Sequence, residues 1–416
     1  MSGLLPHAES LRSLDRDGRL LFATRCLRLF GYGLISVILV LYLSETGLPD
    51  PEIGLLLTLT LVGDAAISLL LTTNADRLGR RNMLRCGALL LVLAGVVFAL
   101  TGTFWPLLFA AVVGVISPSG NEVGPFLPIE QAALSEVVPG THRTAVFAWY
   151  NLAGSLATAL GALAGGAAVD LARGAGLSPL ASFRVVLFAY AAVGALLTGL
   201  FLLVSARVEP PPAAVRPKRP VFLGLHRSKR VVFRLSSLFA LDAFAGGFVV
   251  QSIAAYWFHV RFGVSPTTLG AIFFGANLLA GVSALAAASL ARRIGLVETM
   301  VYTHIPSNVL LILVPLMPNL PLAITMLLLR FSISQMDVPT RQSYTMAVVD
   351  PDERSAASGI TGVARTAGAA VSPSLAGLLL SVPALLSTPF FVAGGLKIVY
   401  DVLLYRSFVR VRPPGE

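Results

Sequence analysis

The sequence has 416 residues, of which 56% are hydrophobic and only 12% are charged, and its mean hydropathy is +0.80. Soluble globular proteins carry about 25% charged residues, so this composition excludes a soluble fold and places most of the chain in lipid. A net charge of +10 in a soluble protein would suggest a nucleic-acid partner. Here the basic residues lie in connectors between apolar segments, and we expect no nucleic acid to bind.

Twelve apolar segments are long enough to cross a bilayer, which takes about 20 residues. Backbone groups inside lipid have to bond within their own segment, so each span is expected to be a helix. Numbered 1 to 12 in chain order, the predicted spans are Leu20–Ser44, Glu52–Asn74, Met83–Gly102, Pro106–Ser135, Thr144–Val169, Ala181–Ser205, Val231–Phe258, Pro266–Leu290, Thr299–Leu316, Leu322–Val349, Ser355–Leu379 and Thr388–Tyr405. The expected fold is an all-α membrane protein with twelve transmembrane helices.

The basic residues are distributed unevenly between the connectors. One side of the predicted membrane holds 22 of the 31 lysines and arginines, whereas the other side holds only Arg173, Arg184 and Arg261. Positively charged connectors stay in the cytoplasm. This predicts a multi-pass protein of the cell (inner or plasma) membrane with both termini in the cytoplasm, whose basic face lies against an anionic leaflet.

Two features predict that the chain consists of two halves. Residues 206–230 follow span 6 and are rich in proline and basic residues, which is typical of a linker. The segments 128–131 (Pro-Ile-Glu-Gln) and 339–342 (Pro-Thr-Arg-Gln) resemble each other at an offset of 211 residues, as internal repeats of transporters do. The predicted division is an N-terminal tail (1–19), a six-helix bundle (20–205), the linker (206–230), a second six-helix bundle (231–406) and a C-terminal tail (407–416).

The connector between spans 2 and 3 carries the most specific motif. It reads Asp76-Arg77-Leu78-Gly79-Arg80-Arg81, which resembles motif A of the major facilitator superfamily, Gly-x-x-x-Asp-Arg-x-Gly-Arg-Arg, although a threonine replaces the leading glycine. The resemblance covers nearly the whole chain. It implies two pseudo-symmetric six-helix bundles around one central substrate path, in a transporter that works as a monomer.

This connector is interpreted as part of a cytoplasmic gate. Asp76 is suited to accept charge-assisted bonds from a helix N-terminus or from arginines of the facing half, although the charges would also serve to set topology alone. Glu130 and Arg341 occupy the same repeat position near the cytoplasmic ends of spans 4 and 10 and are interpreted as a latch between the halves. The predicted gate residues are Asp76, Arg77, Gly79, Arg80, Glu130, Arg143 and Arg341.

Ionisable side chains at membrane depth form a second candidate set, since they usually face a cavity or a partner. Counted at about 1.5 Å per residue from the cytoplasmic end of each span, several lie near the middle of the hydrocarbon core. Two others are Arg28, slightly nearer the cytoplasm, and Asn121, in a part of span 4 that two prolines interrupt. The predicted substrate and proton pathway comprises Arg28, Asp64, Asn121, Glu122, Asp242, Asp337 and Arg365, with Asp337 and Arg365 as either a structural pair or a proton switch.

The pattern in span 5 bears on the direction of transport. Residues 161–166 (Gly-Ala-Leu-Ala-Gly-Gly) are similar to the end of the antiporter motif of the family's drug exporters, with Ala162 in place of proline. Small residues also let helices pack closely in lipid, and that explanation stays open. The arginine motif that those exporters carry in span 4 is not recognisable in this sequence.

The function predicted from these features is secondary active transport by alternating access, in which protons drive efflux of a small organic or cationic solute. The alternative is a proton-coupled symporter that imports a sugar, an organic acid or another small metabolite. No nucleophile–base set and no phosphate-binding loop is apparent, so we expect neither an enzyme nor an ATP-driven pump. The histidines are scattered, and neither a metal site nor a cofactor is expected.

Overall fold

The structure is a computed structural model that describes residues 14–138, 143–209, 225, 227–350 and 353–409. Within these ranges the chain forms sixteen α-helices and three short 3-10 turns, and it forms no strand. The helices are α1 (Arg16–Ser36), α2 (Leu39–Glu45), α3 (Asp50–Leu78), α4 (Arg80–Leu100), α5 (Phe104–Val113), α6 (Phe126–Val137), α7 (Arg143–Gly174), α8 (Pro179–Leu203), α9 (Lys229–Gly247), α10 (Gln251–Phe262), α11 (Pro266–Ile294), α12 (Leu296–Leu313), α13 (Leu320–Ser334), α14 (Asp337–Ala347), α15 (Arg354–Leu380) and α16 (Thr388–Phe408).

Four of the predicted spans are divided into two helices. These are spans 1, 4, 7 and 10, and the two parts of span 1, α1 and α2, meet at a bend of 42°. The widest break lies in span 4, where residues 114–125 leave the helix between α5 and α6. Pro118 and Pro125 lie in this break and cannot donate a backbone hydrogen bond, while Gly120 and Gly124 adopt positive φ values of 70° and 79°.

The described helices confirm an all-α membrane protein. Nine helical segments are long and apolar enough to cross a membrane, and the bent pair α1–α2 makes a tenth. Spans 4 and 10 are absent from this count because their breaks leave each of them as two shorter helices. The described part of the chain therefore yields nine or ten crossings by length and composition, although helix is present in all twelve predicted segments.

The internal repeat recurs in the helix boundaries. Helices α6 and α14 begin 211 residues apart, as do α7 and α15, whereas α3 and α11 begin 216 residues apart, as do α4 and α12. Packing follows the same pattern: α1 packs on α7 and α4 on α8, while α9 packs on α15 and α12 on α16. Gly79 and Gly295 precede α4 and α12 with φ values of 94° and 96°, which residues other than glycine rarely adopt.

The chain divides into two compact units that do not coincide with its sequence halves. Unit 1 comprises Met1–Leu48, Gly63–Arg216 and Ser265–Phe274, and unit 2 comprises Pro49–Val62, Pro217–Val264 and Gly275–Glu416. The first turns of α3 thus belong to unit 2, and the first turns of α11 belong to unit 1. The domain boundaries given by the sequence remain a prediction.

Each unit contains a close helix crossing that depends on glycine. In unit 1, a Cβ atom on Gly166 of α7 would overlap the carbonyl oxygen of Pro266 and lie 3.2 Å from the Cα of Gly270 in α11. In unit 2, a Cβ atom on Gly54 of α3 would lie 3.0 Å from the Cα of Gly377 in α15. The positions correspond in the repeat, so the small residues of spans 5 and 11 serve close packing here.

We expect Gly166→Ala to lower the free energy of unfolding by about 1–3 kcal/mol, the usual effect of overpacking a filled interface. Gly174→Ala in the same helix is the control, because a Cβ atom there meets nothing within 4 Å. Both variants gain the helix propensity of alanine. The difference between their thermal unfolding midpoints in detergent therefore measures the cost of the added methyl group at the crossing of α7 and α11. Equal midpoints would contradict the close contact.

Candidate functional site

Unit 1 contains a fully buried ion pair between α1 and α6. The guanidinium of Arg28 binds both carboxylate oxygens of Glu130, with Nη1–Oε1 and Nη2–Oε2 distances of 2.6 and 2.7 Å. Both side chains are 0% exposed. Glu130 also accepts hydrogen bonds from the hydroxyls of Thr24 and Tyr150, so its oxygens are fully satisfied. Two-fold binding of this kind fixes orientation as well as charge.

Glu122 extends this ion pair toward solvent. Its Oε1 accepts a bond from Arg28 Nε at 2.9 Å, and its Oε2 accepts one from Arg25 Nη1 at 3.0 Å. Arg25 is held in turn by the carbonyl of Tyr150 and the side chain of Asn151. The charges of the two arginines and the two glutamates balance. Glu122 is the most exposed of the four, with 16% of its side chain accessible.

The broken part of span 4 is held by side chains from the neighbouring helices. Tyr32 donates to the carbonyl of Val123 at 3.0 Å, Tyr190 donates to that of Val115 at 2.7 Å, and the Asp64 carboxylate accepts the N–H of Gly124 at 2.5 Å. Backbone groups outside a helix are tolerated at membrane depth only against protein or water. The side chains from α1, α3 and α8 therefore replace the missing helical bonds.

Asp64 differs from the other predicted acids of unit 1 because no lysine, arginine or histidine of the described chain bonds to it. Its bond to the chain is the one from Gly124. Asn121 lies in the same break with an exposed side chain, and Ser117 satisfies its backbone carbonyl. Asp64 and Asn121 are thus the polar side chains of this region that are available to a ligand or a proton.

Unit 2 contains a second buried cluster, centred on Asp242 of α9. Its Oδ1 accepts a bond from Lys397 of α16 at 2.6 Å, and its Oδ2 accepts one from Arg341 of α14 at 3.2 Å. Arg341 also donates to Asp337, one turn earlier on α14, at 2.9 Å. The sequence interpretation that paired Asp337 with Arg365 is therefore not what the structure contains.

His304 and Asp401 continue this cluster, and sequence reasoning did not place them in the site. Nδ1 of His304 lies 2.8 Å from Asp401, its Nε2 lies 3.9 Å from Asp242, and Asn308 donates to Asp401 at 3.0 Å. Lys397 and Asp401 are one turn apart on α16, but each of them bonds to a different helix, Lys397 to Asp242 and Asp401 to His304. The spacing in the sequence could have revealed these residues. His304 and Asn308 on α12 are four residues apart, as are Lys397 and Asp401 on α16, so each pair lies on one face of its helix.

The two clusters occupy equivalent places in the repeat, with reversed charges. Glu130 and Arg341 are 211 residues apart, and Arg28 and Asp242 are 214 apart, as are Gly33 and Gly247, which pack on equivalent turns of α7 and α15. Unit 1 therefore carries an Arg–Glu pair where unit 2 carries an Asp–Arg pair. Both members of the predicted latch, Glu130 and Arg341, bind charged partners inside their own units, and a latch between them remains a prediction.

The motif A connector is held by an acid that the sequence did not single out. Glu209, which follows span 6, accepts the backbone N–H groups of Arg80 and Arg81 at 2.7 and 3.2 Å. A carboxylate at the first turn of α4 satisfies its free donors and favours its dipole. Arg80 is 7% exposed and also bonds to the carbonyl of Val208. The side chains of Asp76, Arg77 and Arg143 lie outside the described residues, so their role in a gate remains a prediction.

Two arginines of unit 2 have no carboxylate partner among the described residues. Arg365, on α15, is partly buried and makes no hydrogen bond or ion pair there. Nε of Arg330, on α13, is buried without an acceptor, and its guanidinium lies 4.9 Å from the ring centre of Phe331. Among the same residues, no three histidine, cysteine or acidic side chains are grouped as metal ligands would be.

Comparison with known proteins assigns the family. Residues 21–373, and in a second match residues 261–416, fit the Major Facilitator Superfamily. The chain belongs to this superfamily. A curated relative from Saccharomyces cerevisiae, the uncharacterized membrane protein YJR124C, is 31% identical, and the alignment covers 95% of each chain. The superfamily resemblance noted in the sequence is thereby confirmed.

Solved structures of superfamily transporters share the fold. A bacterial homologue of the human lysosomal transporter Spinster has a TM-score of 0.70 at 17% identity, with 94% of this chain and 95% of that chain covered. The nucleoside transporter NupG has a TM-score of 0.72 at 13% identity, over 96% and 100% of the two chains. The D-xylose-proton symporter has a TM-score of 0.67 at 14% identity, over 94% and 97%. The protein is thus a multi-pass membrane protein with the fold of these transporters.

Proposed function

We propose that this superfamily member is a proton-coupled secondary transporter that works by alternating access and exports a small organic solute. The observation that carries the proposal is the bond between the Asp64 carboxylate and the Gly124 N–H in the break of span 4. It joins a partly buried acid without a cationic partner to a backbone segment that is not held by helical bonds. Sites of this kind lie at interrupted helices in secondary transporters.

Protonation of Asp64 would change the bond that holds the break. A charged carboxylate accepts an N–H more strongly than a neutral carboxyl does, so a proton on Asp64 weakens its hold on Gly124. The break leads directly into α6, whose Glu130 binds Arg28 of α1. A change at Asp64 therefore acts on the segment that joins the break of span 4 to the buried ion pair.

The other predicted acids are less suited to this role. Asp242 and Asp337 are bonded to Lys397 and Arg341, and Glu122 is bonded to two arginines. A proton would reach them only after an ion pair opened. The same pairing weakens the argument for a cationic solute, because the negative charges of these acids are already compensated by basic side chains. The export direction rests on the antiporter-like residues 161–166, and the alternative, uptake with protons, uses the same carboxylate.

We expect Asp64→Asn to abolish solute-dependent proton movement while the protein stays folded. The assay uses inverted vesicles with a preset pH gradient, acidic inside, and a broad panel of small solutes. In the wild type, an exported solute should dissipate the gradient, whereas Asp64→Asn should not respond to it. The control is Glu45→Gln, which alters an exposed acid at the end of α2 and should respond as the wild type does. Full activity of Asp64→Asn, or no response of the wild type to any solute, would contradict the proposal.

A further inference from the structure

The described charges around Asp242, near the predicted middle of the membrane, do not balance in unit 2. The three buried aspartates, Asp242, Asp337 and Asp401, all have a partner among Lys397, Arg341 and His304. Arg330 and Arg365 remain, so the described charges at this depth include four lysines and arginines against three aspartates. An excess of one positive charge persists even when His304 is neutral.

The two remaining arginines lie near the same aspartates and at a similar depth. Both interact through space with Asp242 and Asp337, yet neither donates a bond to them. Arg365 is eleven residues from the start of α15, and Arg330 is ten residues from the start of α13. At about 1.5 Å per residue, each lies about 15–17 Å along its helix, which is near the middle of an about 30 Å hydrocarbon core.

A guanidinium without a counter-charge is costly at this depth. Removing it from water costs several kcal/mol unless an opposite charge compensates, and ionisable groups inside a membrane therefore mark partners or ligands. The planar guanidinium presents paired N–H donors that match a carboxylate or a phosphate. Because the aspartates of the cluster are already engaged, the compensating group has to come from outside the described chain.

We propose that Arg365, with Arg330 as a second cation, binds an anionic group, a carboxylate or a phosphate, of the transported solute. Arg365 is partly exposed and is the arginine that meets the ligand, while Arg330, at a similar depth along its helix, adds positive potential. This assigns the solute class and rests on the proposed transport function. A lipid phosphate offers the same chemistry, but headgroups lie at the bilayer surface and not at the depth of these residues.

The first test needs no ligand. In the purified protein without solute, Arg365→Leu removes an uncompensated charge, so its thermal unfolding midpoint in a neutral detergent should equal or exceed that of the wild type. Arg293→Leu, at an exposed position at the end of α11, is the control for adding an apolar side chain. A midpoint of Arg365→Leu well below both others would show that Arg365 is already paired, and it would overturn the proposal.

The second test measures binding. Small carboxylates and phosphate monoesters are compared with their uncharged amides and alcohols, as shifts of the unfolding midpoint against ligand concentration. For the wild type, at least one anion should give a saturable shift that its neutral analogue lacks. Arg365→Gln should weaken the affinity for that anion at least tenfold, and Arg365→Lys should recover part of the affinity. Arg293→Gln should leave the affinity unchanged. The proposal fails if no anion binds, if Arg365→Gln binds equally well, or if only anionic phospholipid added to the micelles gives the shift.

These outcomes separate the anion site from the coupling mechanism. If an anion binds through Arg365 but never moves protons in vesicles, the solute class stands and proton coupling fails. If proton movement through Asp64 is driven only by neutral or cationic solutes, coupling stands and the anion site is overturned.

Discussion

Replacing Arg28 with methionine is expected to lower the free energy of unfolding by about 3–5 kcal/mol, the usual effect of breaking a buried ion pair from one side. Arg28 makes two bonds to Glu130 and one to Glu122, and the side chains of Arg28 and Glu130 are 0% exposed. Without the arginine, Glu130 keeps its hydroxyl donors but loses the one cationic partner that it has among the described residues. Thermal and chemical unfolding in detergent measures the loss.

Two further variants make this result specific to the ion pair. Arg16→Met lies on the same helix at an exposed position and should change stability little. The double variant Arg28→Met/Glu130→Met removes both charges and should recover part of the loss, since apolar residues of similar volume often replace a buried pair well. A double variant no more stable than Arg28→Met would contradict the assignment of the loss to an unpaired glutamate.

Asp242→Asn is expected to be the most damaging single substitution in unit 2. Asp242 is the shared acceptor of Lys397 and Arg341 and lies 3.9 Å from His304, in a region that already has excess positive charge. Neutralising it leaves two buried cations with a weaker partner, for which we expect a loss of about 3–5 kcal/mol in the free energy of unfolding. The loss is measured as for Arg28.

Asp337→Asn is the matched comparison, because within the described ranges the Asp337 carboxylate bonds to Arg341 alone, and Arg341 keeps Asp242 as a second acceptor. It should therefore be clearly milder than Asp242→Asn. The double variant Asp242→Leu/Lys397→Met should regain stability relative to Asp242→Leu. If Asp337→Asn proves as damaging as Asp242→Asn, Asp242 is not the centre of the cluster.

Much of the fold follows from the sequence because apolar length and connector charge are strong signals in a membrane protein. The repeat offset of 211 residues, read from Pro128 and Pro339, recurs in the starts of α6 and α14. The number of spans that form one continuous helix was harder to predict from the sequence. Prolines and glycines marked the break of span 4, but the sequence did not indicate how far the helix would unwind, and span 10 breaks at Gln335 and Met336 without a proline between its two helices.

Counting residues along the spans predicts a depth for the candidate site, but it does not predict which side chains pair. Counting from the span ends places Asp64, Glu122, Asp242 and Asp337 at one level, but it gives no rotation about the helix axes. Nearly uniform apolar spans contain little periodicity from which to derive that rotation. The pairing of Asp337 with Arg365 failed for this reason, because Asp337 bonds to Arg341 instead. His304 was discounted because its partner lies 97 residues away in the sequence.

The reversed polarity of the two buried pairs has a consequence for how the chain assembles. The two repeats have similar helices, so an emerging chain is at risk of docking a span against the equivalent partner from the wrong repeat. Such an exchange would place Arg28 against Arg341, or Glu130 against Asp242, and like charges in an apolar environment repel strongly. The charge reversal therefore disfavours pairing between the repeats and favours pairing of each of the four interrupted spans with the partner in its own repeat.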